Sequence, residues 1–358
     1  MNNIMNYVVK DQEIFIGLED SKKTWKLCVR SGGIVINETS MPAKYEVLKH
    51  YCDNKYPDCH IIVMYEAGFR GFELYDQLKA DGYACVVTPP HTVTEEKTQR
   101  KKNDRIDCRR LAKNLENGDY HVCFPPDRKL REDRQISRLY EQVQRDITRV
   151  CNRIRRALEY HGLDRLFPEG TWSRKQYRQV HERLTKMNIV HSLEFTFNAY
   201  YDELEHLWGI QKQVLNELYV LAKSEAYKKE VELLKSAPGI GIQTAIRLRL
   251  EWGDIAKRFT RKEEFASFLG IIPSDYSSGE NEHKGHITKQ GNRQVRSWLV
   301  ECAWRAIKYD PVLLDKFNRV VKNSGSRKKA IVATAHKFAI KLRSILLQET
   351  PYVIGLVR

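Results

Sequence analysis

His60-Ile61-Ile62-Val63-Met64-Tyr65, followed by Glu66-Ala67-Gly68, is an apolar, largely β-branched run of strand length. It shows no polar alternation. It therefore reads as a strand buried on both faces, the kind found in parallel sheets with helices above and below. Downstream, Phe72–Asp81 has helical spacing through Phe72, Leu74, Tyr75 and Leu78 and stops at Gly82. Tyr83–Thr88 is a second buried strand, ended by Pro89-Pro90. Upstream, Ala43–Lys55 is helical through Tyr45, Leu48 and Tyr51. Before it, Glu13–Gly17, Thr24–Arg30 and Gly33–Glu38 read as strands, the last two joined by the turn Ser31-Gly32-Gly33. The order β-β-β-α-β-α-β, hairpin strands followed by β-α-β crossovers, predicts a mixed sheet with helices on its faces.

The rest of the chain changes character. From Lys129 to about Ile154, Ile136, Leu139, Val143, Ile147 and Val150 recur at three- and four-residue spacing among many arginines. A second helical tract runs from Leu193 to about Leu234. The link between them carries Gly162, Pro168 and Gly170. Two long amphipathic stretches joined this way predict an antiparallel helical hairpin, a coiled coil or a bundle. A third region starts at Ser236-Ala237-Pro238-Gly239-Ile240-Gly241 and continues with helices over Ile242–Glu251, Arg261–Leu269 and Arg293–Tyr309 and a basic segment, Ser326–Lys329. The expected divisions are 12–128, 129–232 and 233–350.

The chain has 358 residues, 61 Lys and Arg against 46 Asp and Glu, and a net charge of +15. So basic a chain is expected to meet a polyanion. Its longest apolar runs are far below the roughly 20 residues of a membrane span. No secretory signal is read in Met1–Glu13, and the eight cysteines form no C-x-x-C pair, so a cytoplasmic protein with free thiols is expected. Cys52, Cys59 and His60 match no zinc spacing.

The acids are more informative than the bases. Glu19 and Asp20 end the first strand, Glu66 ends the fourth, and Asp104 and Asp107 lie three apart in Lys101-Lys102-Asn103-Asp104-Arg105-Ile106-Asp107. Singly, each has a plain role: Asp104 as a helix N-cap, Glu66 as a turn residue. Jointly, acids at strand ends meet at one edge of a sheet. Clustered carboxylates want a hard cation such as Mg²⁺, and paired ions clamp both oxygens of a phosphoryl displacement. Lys97, Arg100, Lys101, Lys102, Arg105, Arg109 and Arg110 surround Asp104 and Asp107, an arrangement suited to holding a nucleic-acid backbone.

Pro238-Gly239-Ile240-Gly241 looks like a helix-hairpin-helix turn, whose glycines let backbone N–H groups approach a phosphate. Ser277 and Ser278 sit in Tyr276-Ser277-Ser278-Gly279. His283 and His286 are near them, but no Gly-x-Ser-x-Gly motif or His/Asp partner marks a hydrolase serine. A metal-dependent, Holliday-junction resolvase-like nuclease using water as nucleophile and a non-enzymatic nucleic-acid binder remain open at this level.

Gly17-Leu18-Glu19-Asp20-Ser21-Lys22, Tyr65-Glu66-Ala67-Gly68 and Lys102-Asn103-Asp104-Arg105-Ile106-Asp107 resemble the three blocks of the DEDD transposases of bacterial insertion-sequence family one-ten, the bridge-RNA-guided recombinases. Pro238–Gly241, Leu269-Gly270-Ile271-Ile272-Pro273, Tyr276–Gly279 and Ile287-Thr288-Lys289-Gln290-Gly291-Asn292 match the C-terminal blocks in order. The resemblance spans about Ile14 to Arg305. It implies a RuvC-like (ribonuclease-H-like) domain, a coiled-coil insert and a helical C-terminal transposase domain. It implies Mg²⁺ on Glu19, Glu66, Asp104 and Asp107, with Asp20 as the alternative to Glu19. It also implies a covalent phosphoserine at Ser278, with Ser277 as fallback. Donor and target double-stranded DNA, a noncoding bridge RNA and a tetramer sharing active sites between subunits are implied partners. Lys101, Lys102, Arg105, Arg109, Arg110, Gly239, Gly241, Lys289 and Arg293 are the expected nucleic-acid contacts. The first acid of the family is usually Asp, and here Glu19 stands in its place.

Overall fold

The computed structural model describes residues 10–90, 104–166, 169–275 and 284–356, with residues 104, 166, 273–275 and 284–286 described by backbone alone. The chain forms two compact units, Met1–Pro125 and Pro126–Arg358.

The first unit contains strands β1 (Glu13–Glu19), β2 (Thr24–Ser31) and β3 (Ile34–Pro42), helix α1 (Tyr45–Lys55), β4 (His60–Glu66), α2 (Glu73–Ala80), β5 (Ala84–Thr88) and α3 (Asp104–Asn117). The β-β-β-α-β-α-β order expected through Thr88 is the one observed. The sheet order is β3-β2-β1-β4-β5. β1 to β3 are antiparallel, while β4 and β5 run parallel with β1. Alternation along the strands splits the side chains between two faces. Ile14, Ile16 and Leu18 pack with Leu48 of α1 and with Leu74 and Leu78 of α2. The other face carries Met64 beneath Leu111 and Leu115 of α3. Gly17 makes that packing possible, because a Cβ there would lie 2.2 Å from the Cys108 carbonyl oxygen and 2.3 Å from the Ala112 nitrogen. Only glycine lets α3 rest directly on β1.

The second unit is predominantly helical. It contains α4 (Arg128–Tyr160), α5 (Arg174–Lys186), α6 (His191–Lys223), α7 (Lys228–Lys235), α8 (Ile242–Trp252), α9 (Ile255–Arg258) and α10 (Lys262–Leu269). The short strands β6 (Pro273–Asp275) and β7 (Lys284–Ile287) follow, then α11 (Arg293–Ala306), α12 (Pro311–Ser324) and α13 (Arg327–Gln348). α4 and α6 lie antiparallel, as Arg153 meets Glu203 at 2.6 Å and Gln144 meets Gln211. Val143, Ile147, Val150 and Ile154 form the shared stripe with Phe197, Tyr201, Leu204 and Trp208.

Three details differ from the sequence expectation. The link between the long helices contains α5, started by a Ser173–Gln176 capping box and packed through Tyr177, Val180 and Leu184. Its other positions are so polar that the stripe is only three residues deep. The tract to Leu234 is two helices, broken where Ser224 turns to extended backbone. The basic segment Ser326–Lys329 is the cap and first turn of α13: the Ser326 side chain accepts a hydrogen bond from the Lys329 N–H.

Candidate active site

The parallel register Gly17↔Met64, Leu18↔Tyr65 brings the ends of β1 and β4 level. One step further, Glu19 and Glu66 stand side by side on the face that carries α3. Glu66 in turn pairs with Thr88 of β5. Helix α3 starts at Asp104 and brings Asp107 to the same edge. Arg110 joins the acids: its Nη2 lies 3.4 Å from Glu66 Oε1 and 3.2 Å from Asp107 Oδ1. The two carboxylates thus already converge on one cation. Asp104 belongs to α3 by its backbone, and its side chain lies outside the described residues.

Asp20 points the other way. It accepts a hydrogen bond from Trp25 Nε1 at 2.7 Å and pairs with Arg70 Nε at 3.4 Å. Burial pushes its pKa up, against the pull of Trp25 and Arg70. Of the two candidates for the first acid, Glu19 is the one that shares the face of Glu66 and α3.

The arginines of α3 have separate partners. Arg109 makes a two-pronged ion pair with Glu38 of β3, one arm at 2.7 Å. This hydrogen bonding holds the Glu38 carboxyl below its usual range. Arg105 lines a cavity of about 410 Å³ with Lys26, Glu38, Ser40 and Cys108. Lys101 and Lys102 lie outside the described residues. The clamp role of Arg110 is absent from the sequence reading, although its i, i+3 spacing from Asp107 is the available signal.

In the second unit, Pro238-Gly239-Ile240-Gly241 joins α7 to α8. Gly239 has φ +85°, and a Cβ on it would come within 2.9 Å of both Arg305 Cβ and the Cys302 carbonyl oxygen. The glycine is therefore demanded by the close passage of α11. Gly241 is exposed at the N-cap of α8. Two other glycine motifs interlock. A Cβ on Gly270 would strike the Gln290 carbonyl oxygen at 2.3 Å, and one on Gly291 would strike that of Phe268 at 2.2 Å. Backbone hydrogen bonds run from Thr288 N–H to Ile272 O and from Lys289 N–H to Gly270 O. The paired segments form the base from which β6 and β7 leave as an antiparallel pair. Lys289 and Arg293 are exposed beside this base. Tyr276–Gly279, with Ser277 and Ser278, and His283 fall between β6 and β7 in sequence and lie outside the described residues.

Comparison with known proteins draws these blocks together. The transposase family of the IS110 DEDD type matches residues 16–162, and the family described as "Transposase IS116/IS110/IS902 family" matches residues 231–318. Together the two matches cover about two thirds of the chain. The chain belongs to the IS116/IS110/IS902 transposase family. Among its curated relatives is a putative transposase, y4qE, of Sinorhizobium fredii, 26% identical over 253 residues, which are 70% of this chain and 60% of the relative. Another from the same organism, y4rJ, is 28% identical over 303 residues, 78% of this chain and 76% of the relative. The transposase of insertion sequence element IS1533 from Leptospira borgpetersenii is 24% identical over 306 residues, 82% of this chain and 85% of the relative.

In this family member the acid edge has an all-oxygen donor set, which suits a hard divalent ion. Among the described residues, no three His, Cys, Asp or Glu side chains are grouped to hold a metal, and the Asp104 side chain is not among those residues. The Arg110 guanidinium marks where positive charge is stabilised between Glu66 and Asp107. All eight cysteines are free. No described helix is long and apolar enough to cross a membrane.

Proposed function

We propose that this protein is a transposase that cuts and rejoins DNA through a covalent phosphoserine at Ser278. Glu19, Glu66, Asp104 and Asp107 are the residues that would hold Mg²⁺. The observation that carries this reading is the acid edge: Glu19 and Glu66 level in the sheet and Asp107 drawn to Glu66 through Arg110. The strand order β3-β2-β1-β4-β5 supports a RuvC-like first domain, and the antiparallel α4–α6 pairing supports a coiled-coil region. Domain limits at 12–128, 129–232 and 233–350 follow from the same reading. So do a noncoding guide RNA, donor and target duplexes as partners, and a tetrameric assembly.

When bound, the ion supplies Lewis-acid stabilisation of charge on the phosphoryl oxygens. The Ser278 oxygen forms a bond to phosphorus as the bond from phosphorus to one deoxyribose oxygen breaks. That oxygen leaves as a hydroxyl, taking the proton that serine gives up. A strand hydroxyl then attacks the same phosphorus and releases Ser278, so each broken phosphodiester is conserved and no nucleotide triphosphate is required. Arg105, Arg109, Arg110, Lys101, Lys102, Lys289 and Arg293, with the backbone at Gly239 and Gly241, are assigned to the nucleic-acid backbone.

The test uses the full chain with the DNA flanking its gene and any structured RNA that DNA encodes. A protein–DNA adduct should survive denaturation, disappear on protease treatment, and be absent from Ser278→Ala and Glu66→Gln. Cleavage that persists in Ser278→Ala would replace this reading with a water-using nuclease of the resolvase type.

A further inference from the structure

The loops that leave the acid edge carry a second feature. Phe69 follows Glu66 by three residues, and Lys22 follows Glu19 by three, so each lies within roughly 11 Å of its acid along the backbone. Phe69 is 64% exposed as a residue, unusual for a phenylalanine in a unit with a closed core. Two cations attend it: Lys22 Nζ at 5.7 Å and the Arg70 guanidinium carbon at 5.9 Å from the ring centroid. Both sit near the outer limit of a cation–π contact, about 6 Å, so they flank the ring and leave it open.

The loop is braced to present this group. Arg70 donates to the Lys22 carbonyl at 2.7 Å, pairs with Asp20 at 3.4 Å, and lies 5.8 Å from the Trp25 ring centroid. Asp20, only 6% exposed at its side chain, is itself held by Trp25 Nε1. An exposed aromatic ring between two cations, on a rigid base, matches the chemistry of an unpaired nucleobase and its phosphate. The ring offers a stacking face and the cations take the backbone charge.

Resting on the nucleic-acid reading of the acid edge, we propose that Phe69, Lys22 and Arg70 form a stacking site for an unpaired base beside the reacting phosphodiester, and that Asp20 is its positioning residue. The site recognises nucleic acid that is locally unpaired, and it is blind to sequence.

The test measures equilibrium binding of the full chain, in Ca²⁺ to prevent cleavage, to two fluorescent DNA probes. One is a 40-bp perfect duplex. The other is the same duplex with four unpaired central positions. Phe69→Ala should weaken binding of the unpaired probe by about five- to 150-fold, leave the perfect duplex within twofold, and keep the native unfolding midpoint. Phe69→Trp should restore the preference, and Asp20→Asn should reduce it in part by loosening Arg70. Equal loss on both probes, or no loss on either, overturns the stacking site. Glu66→Gln separates this from the functional reading, since it should abolish Mg²⁺-dependent cleavage yet retain the preference for the unpaired probe. Cleavage that survives Glu66→Gln would sink the acid-edge reading without touching the binding result.

Discussion

Gly17→Ala puts one methyl group between the sheet and α3. The added Cβ would sit 2.2 Å from the Cys108 oxygen and 2.3 Å from the Ala112 nitrogen, both backbone atoms of a helix, and 2.9 Å from Leu111 Cβ. Ordinary contact begins near 3.4 Å, so α3 must retreat by roughly 1 Å. Ala is otherwise the better strand residue, by roughly 0.5–1 kcal/mol. Overpacking of a tight interface costs about 1–3 kcal/mol and wins over that gain. The net loss of roughly 0.5–2 kcal/mol, at a urea m-value of about 2 kcal/mol/M, should lower the midpoint of the first unit by roughly 0.25–1 M. The functional effect should be larger. Asp107 and Arg110 ride on α3 and Glu66 on β4, so the retreat opens the gap across which Arg110 now reaches Glu66 at 3.4 Å. A misplacement of about 1 Å in a reacting constellation costs on the order of 100-fold in rate. Gly68→Ala is the control, since its Cβ would meet only the Glu66 carbonyl oxygen, at 3.7 Å. Urea titration and strand-cleavage rates on both variants decide the matter. A Gly17→Ala protein as stable and as active as Gly68→Ala would refute the claim that α3 is seated through this glycine.

Three further expectations concern charge. Asp310 is fully buried, where it accepts hydrogen bonds from Lys341 Nζ at 2.6 Å and from the Tyr352 hydroxyl. Burial alone would raise its pKa, but these partners hold it below the ordinary carboxylate value. Its stabilisation is therefore present above the unfolded pKa of about 3.9 and lost as pH falls through the depressed folded value. Asp310→Ala should cost about 3–5 kcal/mol at neutral pH by leaving Lys341 buried and unpaired, with the deficit narrowing in acid on chemical denaturation. Arg110→Gln removes a cation that competes for Glu66 and Asp107. Mg²⁺ binding measured calorimetrically should tighten, by up to about fivefold for partly exposed pairs, and weaker binding would show that Arg110 organises the acids. Burial pushes the Cys28, Cys52 and Cys85 thiols up to about 12 and those of Cys108 and Cys302 up to about 11. At pH 8 native-state alkylation read by mass spectrometry should spare these five, and rapid labelling of any of them would contradict the packing around it.

The sheet was legible because its strands are dense in β-branched residues and its turns hold glycine. Ile61–Met64 needs burial on both faces, and α2 and α3 provide it. The acid edge was legible for a related reason: Glu19 and Glu66 are the first polar residues after buried runs, and a parallel register levels such positions. That Glu19, and not Asp20, shares the face of Glu66 needed the third dimension, because only the location of α3 tells which face of β1 faces Asp107. Helix α5 escaped notice since three apolar residues in an arginine-rich stretch give too weak a period. The glycine motifs were visible but their reason was not. Gly239, Gly270 and Gly291 meet backbone from segments 20 or more residues away, and such contacts leave no local signature.

The surplus of positive charge also takes a different shape in three dimensions. Several arginines that crowd the sequence are committed to the fold: Arg30 to Glu116, Arg134 and Arg138 to Glu251, and Arg247 to Glu141. Arg134 and Arg247 are buried, and Arg247 stacks 3.9 Å from the Trp298 ring centroid. Asn292, the cap of α11, donates to Glu251 at 3.0 Å, so the same buried carboxylate ties the Gly291-Asn292 motif to α4 and α8. A density of arginines along α4 is therefore no measure of its affinity for phosphate. Lys22, Lys289 and Arg293 are exposed cations that lie beside the motifs assigned to the chemistry. Substituting them should reduce the salt dependence of DNA binding by about one counterion each. Substituting Arg134 should instead lower stability by leaving Glu251 and the Leu250 carbonyl short of a partner.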